Sequence, residues 1–480
     1  MIKKLKNVFN KPENIFFVLC LFWGLILTFI NPPFMSFDEP EHFYKIYSFS
    51  EGTLNYKKIT SYTDGTLMFN EPKTFSAQII PVSIVRIVVE VRKLNPYFDE
   101  NRIIYKPSKI TFKETLAQTQ YKLDKNFKTI AVHMVPSYTI VSYVPHIIVL
   151  TILKAFNTAP VFMMFIMRLC SLFLYTGLIY TAIKITPVKK FMFLLTAAAP
   201  LPLYLSATIN TDHLVIGLSF LLTAYVLKLC YDDRIEKVQN KHLFIFFLLI
   251  FLICIAKFTY LPLILLFFIL PAEKFQTQKT RITAFVLTAI FCVVYIILFL
   301  AYNIHIFSGI FSYYNKSSAE MISYILHNPL SYPAVLIKTI FINGFQYTQR
   351  MLADFGCSDT SINPFIVSGY LILLIIHTMF YDKQKNALTL NKKLILCFII
   401  ISVIFITLSA NYITFELDTQ NLIAGFKGRY ILPVLPLFLL LFDNNNFKPY
   451  RFNFTAFTLF YSIVFMIVFV ITLVNRYYII

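Results

Sequence analysis

Asp38 and Glu39 are adjacent carboxylates in the stretch NPPFMSFDEPEHFYKIYSFSEG (31–52), directly after an apolar run from Ile15 to Ile30. A carboxylate pair placed where a membrane segment surfaces into water can take a proton from a hydroxyl or ligate a hard divalent cation such as Mg or Mn. Asp212, in SATINTDHL, offers a second acidic position, and Asp38 with Asp212 is the expected ligand pair if a metal is used. Lys257 in AKFTYLP and Arg429 in GFKGRY bring positive charge suited to a phosphate. His42 and Tyr44 follow the acidic pair closely enough to contact a substrate. As a set, these groups suit sugar transfer from a lipid-linked phosphate. Asp38 and Glu39 act on the acceptor hydroxyl, and cations stabilise the departing phosphate.

Each residue also has a plainer reading. Asp38 and Glu41 form a D-x-x-E pattern, in which Asp38 caps a helix and Glu41 reaches back. Asp212 follows Asn210 and Thr211 and precedes an apolar run, so it too reads as a cap. Lys257 can snorkel to the interface. Arg429 is harder to explain this way, because two glycines and an arginine make a poor helix start. His42, His133, His146 and His213 lack metal-ligand spacing among themselves, and the seven cysteines are scattered singly without CxxC spacing.

The elements that must position these groups are membrane helices. The chain has 480 residues, is 58% hydrophobic and only 14% charged, and has a mean hydropathy of +0.67. It reads as an all-α polytopic membrane protein. The net charge of +19 is spread over loops, which fits lipid headgroups and orientation bias and excludes a nucleic-acid partner. The basic start (Lys3, Lys4, Lys6, Lys11) and first apolar run look like a signal peptide without a cleavage site, hence a retained first span. Pro32 and Pro33 end that span and leave the acidic pair just outside the hydrocarbon. An aspartate at its centre would oppose insertion by roughly 2.5–3.5 kcal/mol.

The spacing of Phe43, Ile46 and Tyr47 predicts an amphipathic helix from Pro40 to Glu51 lying on the membrane surface, with Gly52 as its stop. Residues 31–160 form a large first loop with a β-rich piece (Ile79 to Val91) and a polar helix near Phe112 to Leu123. The loop closes in a proline-interrupted surface or re-entrant helix before Pro160. Further spans are expected at 161–183, 191–209, 213–230, 243–257, 259–271, 282–302, 363–380, 394–411, 429–442 and 453–475. That makes about eleven crossings in a single domain, 1–480.

With the N-terminus in the cytoplasm, loops bearing Lys189, Lys190, Arg234, Lys237, Lys274, Arg281, Lys383, Lys385, Lys448 and Arg451 fall inside. The acidic pair, Asp212, Lys257, the second loop 303–362 and the turn with Glu416, Asp418, Lys427 and Arg429 then fall outside. Residues 330–347 read as either a span or a second surface helix, and the lysine distribution argues against a span.

This layout resembles the GT-C glycosyltransferases, integral membrane enzymes that use polyprenyl-phosphate sugars. It is most similar to a bacterial branch grouped as domain of unknown function 2142. The likeness runs through NPPFMSFDEPEHFYKIYSFSEG, YVPHIIV with MRLCSLF, PLPLYLSATINTDHL, AKFTYLPL, GFQYTQRMLADFG and GFKGRYILPVLPL, in that order along nearly the whole chain. The resemblance implies a GT-C-like bundle with Asp38 as base or metal-linked carboxylate, Asp212 at the second acidic position and Arg429 on the donor phosphate. It further implies an inverting transferase of the bacterial cytoplasmic membrane, moving a sugar from a polyprenyl-phosphate-linked donor to a surface glycan acceptor on the outer side. A flippase for a lipid-linked glycan and a glycan polymerase are the alternatives. One GT-C subgroup carries a large soluble C-terminal domain. Here the sequence stops soon after 453–475, so acceptor recognition is expected from the outer loops.

Overall fold

The computed structural model describes residues 11–479 apart from 55–56, 64–66, 93–94, 100–101, 107–108, 127, 133–137, 312–317, 357–359, 382–386, 416–421, 424 and 445–452. His133, Glu416, Asp418, Lys383, Lys385, Lys448, Arg451 and the first lysines lie outside the described residues. Helix α1 (Pro12–Ile30) begins with proline, whose missing N–H costs nothing in a first turn, and ends at Asn31 before the Pro32-Pro33 pair. Helix α2 (Glu39–Ser50) follows. The first loop then folds around a five-stranded antiparallel sheet, β1 (Lys57–Thr63), β2 (Leu67–Pro81), β3 (Asn95–Asp99), β4 (Arg102–Lys106) and β5 (Lys128–Val132), with β2 pairing to β1, β4 and β5.

Three expectations for this loop change. The β-rich piece at 79–91 is a strand only to Pro81; Val82–Arg92 is helix α3. Its buried residues Ile84, Ile87, Val88 and Val91 keep helical spacing, which outweighs the strand preference of its β-branched side chains. Helix α2 is present and stops at Gly52 in the left-handed region (φ 73), but it does not lie on a surface. Pro40 and every residue from His42 to Phe49 are buried, His42, Lys45 and Ser48 included. β2 and α5 (Val144–Ala155) cover what would have been its wet face. Lys154 of α5 reaches the end of α2, bonding Ser50 O at 3.1 Å, Ser50 Oγ at 2.8 Å and the Glu51 carboxylate. The polar helix near 112–123 is shorter than expected, α4 (Phe112–Ala117) with a full capping box from Thr111 and Glu114. Helix α5, with 12 residues, spans about 18 Å and is too short to cross alone.

The membrane part is all-α. Among the described residues six helices are long and apolar enough to cross: α1, α6 (Pro160–Ile185), α9 (Asp212–Tyr231), the Gln278–Ala301 part of α11 (Gln278–Phe311), the Leu390–Ile413 part of α15 (Leu390–Phe415) and α17 (Phe454–Tyr477). The expected span 191–209 is broken into α7 (Lys190–Ala197) and α8 (Pro200–Ser206), because Pro200 cannot continue a helix. The segments Asn240–Ala256 (α10), Phe258–Ile269, Pro364–Phe380 (α14) and Gly428–Leu440 are apolar but shorter. Phe258–Ile269 is a 3-10 helix, and at roughly 2 Å per residue its 12 residues cover about 24 Å. Gly428–Val434 is also 3-10 and runs into α16 (Leu435–Leu440). In the second loop, α12 (Ser318–His327) and α13 (Ser331–Arg350) meet at a 102° bend, and counted as one broken span they would make a seventh.

The bundle has two chemically distinct ends. At one, Lys189 and Asp443 form a fully buried ion pair (2.7 Å), with Lys189 also donating to Thr378 O (3.1 Å) and Leu388 N to Asp443 (2.9 Å). This staples the turns after α6, α14 and α16 together. Helix α6 is about 39 Å long, so its Pro160 end lies at the opposite side of the bundle, with Asn31, Asp212 and the α17 C-terminus. Tyr478 there donates to Ile30 O at 2.8 Å.

Gly428 marks where the second loop presses on this end. A Cβ on it would stand 2.4–2.6 Å from backbone atoms of Tyr347, Arg350 and Met351. Gly428→Ala is therefore expected to cost about 1–3 kcal/mol and lower the thermal midpoint in detergent, since backbone cannot give way as a side-chain tip can.

Candidate active site

Asp38 sits at the head of α2 in the left-handed conformation (φ 57, ψ 9) and makes no side-chain cap. Asparagine and aspartate are among the few residues that tolerate this region. Its main chain starts the helix, with His42 N bonding Asp38 O at 3.0 Å, while the carboxylate turns away to Arg429 Nη2 at 3.1 Å. Asp212 is not a cap either. Asn210 fills that role, accepting from His213 N at 3.1 Å, and so frees the first residue of α9 to face Arg429 and Lys257. Asp212 Oδ2 lies 3.2 Å from Arg429 Nε, close for an ion pair although Nε is not aligned for a hydrogen bond, and Oδ1 lies 3.4 Å from Lys257 Nζ.

Lys257 does not snorkel outward. It occupies the extended break between α10 and the following 3-10 helix, and its ammonium stands 3.9 Å from the centre of the Tyr430 ring. Arg429 packs at 4.5 Å over Phe37, and Lys427 at 5.3 Å over the same ring. Tyr260 Oη, donating to Tyr430 O at 2.8 Å, fixes the Arg429 segment to the Lys257 segment. Asp38, Asp212, Lys257 and Arg429, far apart in sequence, thus form one continuous charge network. Asp38 keeps 28% exposure, while Asp212, Lys257 and Arg429 keep 11–12%. Burial pushes the Asp38 carboxyl up from the ordinary value, Arg429 pulls it back, Asp212 raises it and Lys427 lowers it.

Glu39 belongs to a different cluster. Its carboxylate is fully buried and bidentate to Arg168 of α6, at 2.7 Å from Nε and 2.6 Å from Nη2. Arg168 also donates to the carbonyls of Thr28 (3.0 Å), Asn31 (2.6 Å) and Pro32 (3.0 Å), capping the end of α1. Glu39 Oε1 in turn accepts from Ile209 N at 3.0 Å. The pairing of Glu39 with Asp38 as two catalytic groups is therefore corrected. Adjacent residues on a helix start point to different sides, and Glu39 holds together the three segments that carry and frame Asp38 and Asp212. Arg168 was missed from sequence, although a guanidinium inside the run MRLCSLF is a signal, because it must have a buried partner.

His42, one turn beyond Asp38, is buried behind the site with Nδ1 2.6 Å from Tyr143 Oη. Burial lowers its pKa to about 3, so the imidazole is neutral. Tyr44 lies on another side of α2, near Glu41 and Arg92, and does not join the network. His146 and His213 face each other with ring centres 5.6 Å apart, and His146 Nε2 is 2.8 Å from Ser171 Oγ. Among the described residues no group of three His, Cys, Asp or Glu side chains is arranged to hold a metal. Asp38 and Asp212 do not fit a shared divalent cation in this arrangement, because the Arg429 guanidinium stands between them as their common counterion.

The second loop adds a carboxylate that sequence reading missed. Asp354 of the short strand β6 (Asp354–Phe355) is 8% exposed and lines a crevice with Ser36, Phe37, Tyr204, Thr208 and Arg429. Its charge supports Lys427, whose pKa burial lowers.

No curated protein and no solved structure matches this chain. The family model described as "Predicted membrane protein (DUF2142)" matches residues 21–438, which include the second half of α1, Asp38, Arg168, Asp212, Lys257, Asp354 and Arg429. The chain belongs to this family of multi-pass membrane proteins.

Proposed function

We propose that this protein is an inverting glycosyltransferase of GT-C type that moves a sugar from a polyprenyl-phosphate donor to a cell-surface glycan, on the outer face of the bacterial cytoplasmic membrane. The observation that carries this reading is the Asp38–Arg429–Asp212–Lys257 network at one end of an apolar bundle. It pairs a partly exposed carboxylate with two cations that an anion can engage. Asp38 accepts the proton of the acceptor hydroxyl as its oxygen attacks the anomeric carbon. The bond from that carbon to the phosphate oxygen breaks, and Arg429 and Lys257 receive the added charge on the released polyprenyl phosphate. Attack opposite the leaving group inverts the anomeric centre. Arg429 and Lys257, not a divalent cation, supply the countercharge in this scheme.

The broken and short apolar segments complete an eleven-crossing topology. With the N-terminus in the cytoplasm, the chain then returns alternately to the Lys189–Asp443 end and the Asp38 end, and the positive-inside rule sets the latter outside. In this reading Lys257 and Arg429, at the starts of the short apolar segments Phe258–Ile269 and Gly428–Leu440, meet the phosphate of a lipid embedded beside the bundle.

Transfer should depend on pH through Asp38. Only the ionised carboxylate accepts a proton, and burial sets its pKa above the ordinary carboxylate value, so kcat/KM rises with pH through that raised value and then levels. Lys427 lowers this pKa, so Lys427→Met is expected to move the acidic limb to higher pH. A rate profile recorded with radiolabelled donor checks both. An acidic limb that stays put in Lys427→Met would contradict the assignment of the base.

A further inference from the structure

The first loop is stitched to the rim of the bundle at the end of α17. Ile110 N bonds Tyr477 O at 3.1 Å, and Lys109 Nζ donates to Ile479 O. Tyr478 of the same end donates to Ile30 O of α1, so two helices long and apolar enough to cross a membrane finish at the level of Ile110. Helix α17 also carries exposed Ile463, Ile467 and Ile471, one turn apart, a stripe of the kind a crossing helix turns to lipid. Exposed Ile479 continues that stripe past the helix end, and α4 follows directly from Lys109 and Ile110.

Helix α4 divides by face. Ile110 before it and Thr115 within it are buried. Phe112 and Leu116, four residues apart on one flank, are 57% and 52% exposed. Lysines surround them. Between 109 and 128, Lys109, Lys113, Lys122, Lys125 and Lys128 are all exposed, against two carboxylates, Glu114 and Asp124. Those two turn to the chain itself. Glu114 accepts from Thr111 N at 2.7 Å in the capping box, and Asp124 from Asn126 N at 2.9 Å. Five against two leaves three positive charges on the segment. The adjoining helix α3 does not offset them, because Arg86, stacked on Tyr121 at 5.2 Å, pairs with Glu90. Arg476, at the end of α17, has the same sign as the lysines.

We infer that residues 109–128 are a lipid-binding element, which seats Phe112 and Leu116 in the bilayer surface and gathers anionic headgroups on the five lysines. The end of a crossing helix is where hydrocarbon gives way to headgroups, and an apolar flank bordered by lysines suits that boundary. A neutral bilayer would take the flank and leave the lysines unused. A soluble acidic polymer would take the lysines and leave Phe112 and Leu116 in water. Only an anionic lipid surface satisfies both. The inference does not rest on the sugar-transfer reading.

Trp23 of α1 is the single tryptophan of the chain, which gives the element a direct probe. In a Trp23→Phe background, Phe112→Trp places an indole on the flank, and the full-length protein is put in nanodiscs whose acyl chains carry bromine, a contact quencher. With about 30% phosphatidylglycerol in phosphatidylcholine, quenching at low salt is expected to be about twofold or more that in phosphatidylcholine alone. It should fall to the phosphatidylcholine level at about 0.5 M salt, where charges are screened beyond about 4 Å. Lys113→Gln, Lys122→Gln, Lys125→Gln and Lys128→Gln combined should lower it as far at low salt. An indole as bright in brominated as in plain discs, or quenching indifferent to phosphatidylglycerol, salt and the lysines, would overturn the inference. So would a soluble acidic polysaccharide that shifts the indole emission in phosphatidylcholine discs as far as phosphatidylglycerol does, since the partner would then be a glycan. Should Phe112→Trp fail to fold, hydrogen exchange of the Phe112–Ala117 amides in wild type decides. Exchange about threefold or more slower in the anionic discs is expected, and equal exchange would overturn the assignment. Neither readout depends on whether sugar is transferred.

Discussion

Asp38→Asn is expected to lower sugar transfer by about 10²- to 10⁴-fold while the protein still inserts and folds. The amide keeps the size of the carboxylate but cannot accept the acceptor's proton. It can still accept from Arg429 Nη2, so the 3.1 Å contact survives as a weaker hydrogen bond. Because Asp38 makes no cap and keeps 28% exposure, little of the fold rests on its charge. The thermal midpoint should therefore stay near wild type, which separates lost chemistry from lost structure. A transfer rate within about threefold of wild type would remove Asp38 from the role of base.

Arg168→Ala is expected to be the most destabilising change near the site, by about 3–5 kcal/mol. It leaves the Glu39 carboxylate buried without its partner and uncaps the carbonyls of Thr28, Asn31 and Pro32. Glu39→Ala should be milder, because the guanidinium keeps those carbonyls. The double variant should fall well short of the sum of the two, since each single change already breaks the shared pair. Chemical denaturation in detergent, with all three variants, measures the cycle. Additive effects would show that the pair is not a unit.

Several site residues were legible because chemistry and position coincide. Asp38, Asp212, Lys257 and Arg429 each sit where an apolar segment ends, and ionisable groups at such ends must find water or one another. The structure brings all four together. Their local roles were not legible. Whether Asp212 caps its helix is decided by Asn210, two residues earlier, and sequence types allow either. Glu39 looked like the twin of Asp38 until Arg168, 129 residues away, claimed it.

The same limit governs the elements. The first and last spans stand out by length and hydropathy alone, but 191–209 gave no sign of the break at Ala198–Pro200 beyond the prolines at 200 and 202. The amphipathic pattern of α2 correctly gave a helix and misjudged its surroundings. A pattern reports which face is apolar, and only the rest of the first loop reveals that the polar face is covered too. Asp354 lies in the stretch GFQYTQRMLADFG that carries the resemblance, but nothing in that stretch gave the carboxylate a role, because its place at the site is set only when the second loop folds onto α8 and α17.

The most direct test of the transferase reading is to incubate purified protein in nanodiscs with a panel of radiolabelled polyprenyl-phosphate sugars and cell-wall glycan acceptor. Free polyprenyl phosphate and labelled glycan should appear together with wild type and not with Asp38→Asn. No release with any donor, alongside passage of lipid-linked glycan across the bilayer, would contradict the transferase and point to a flippase.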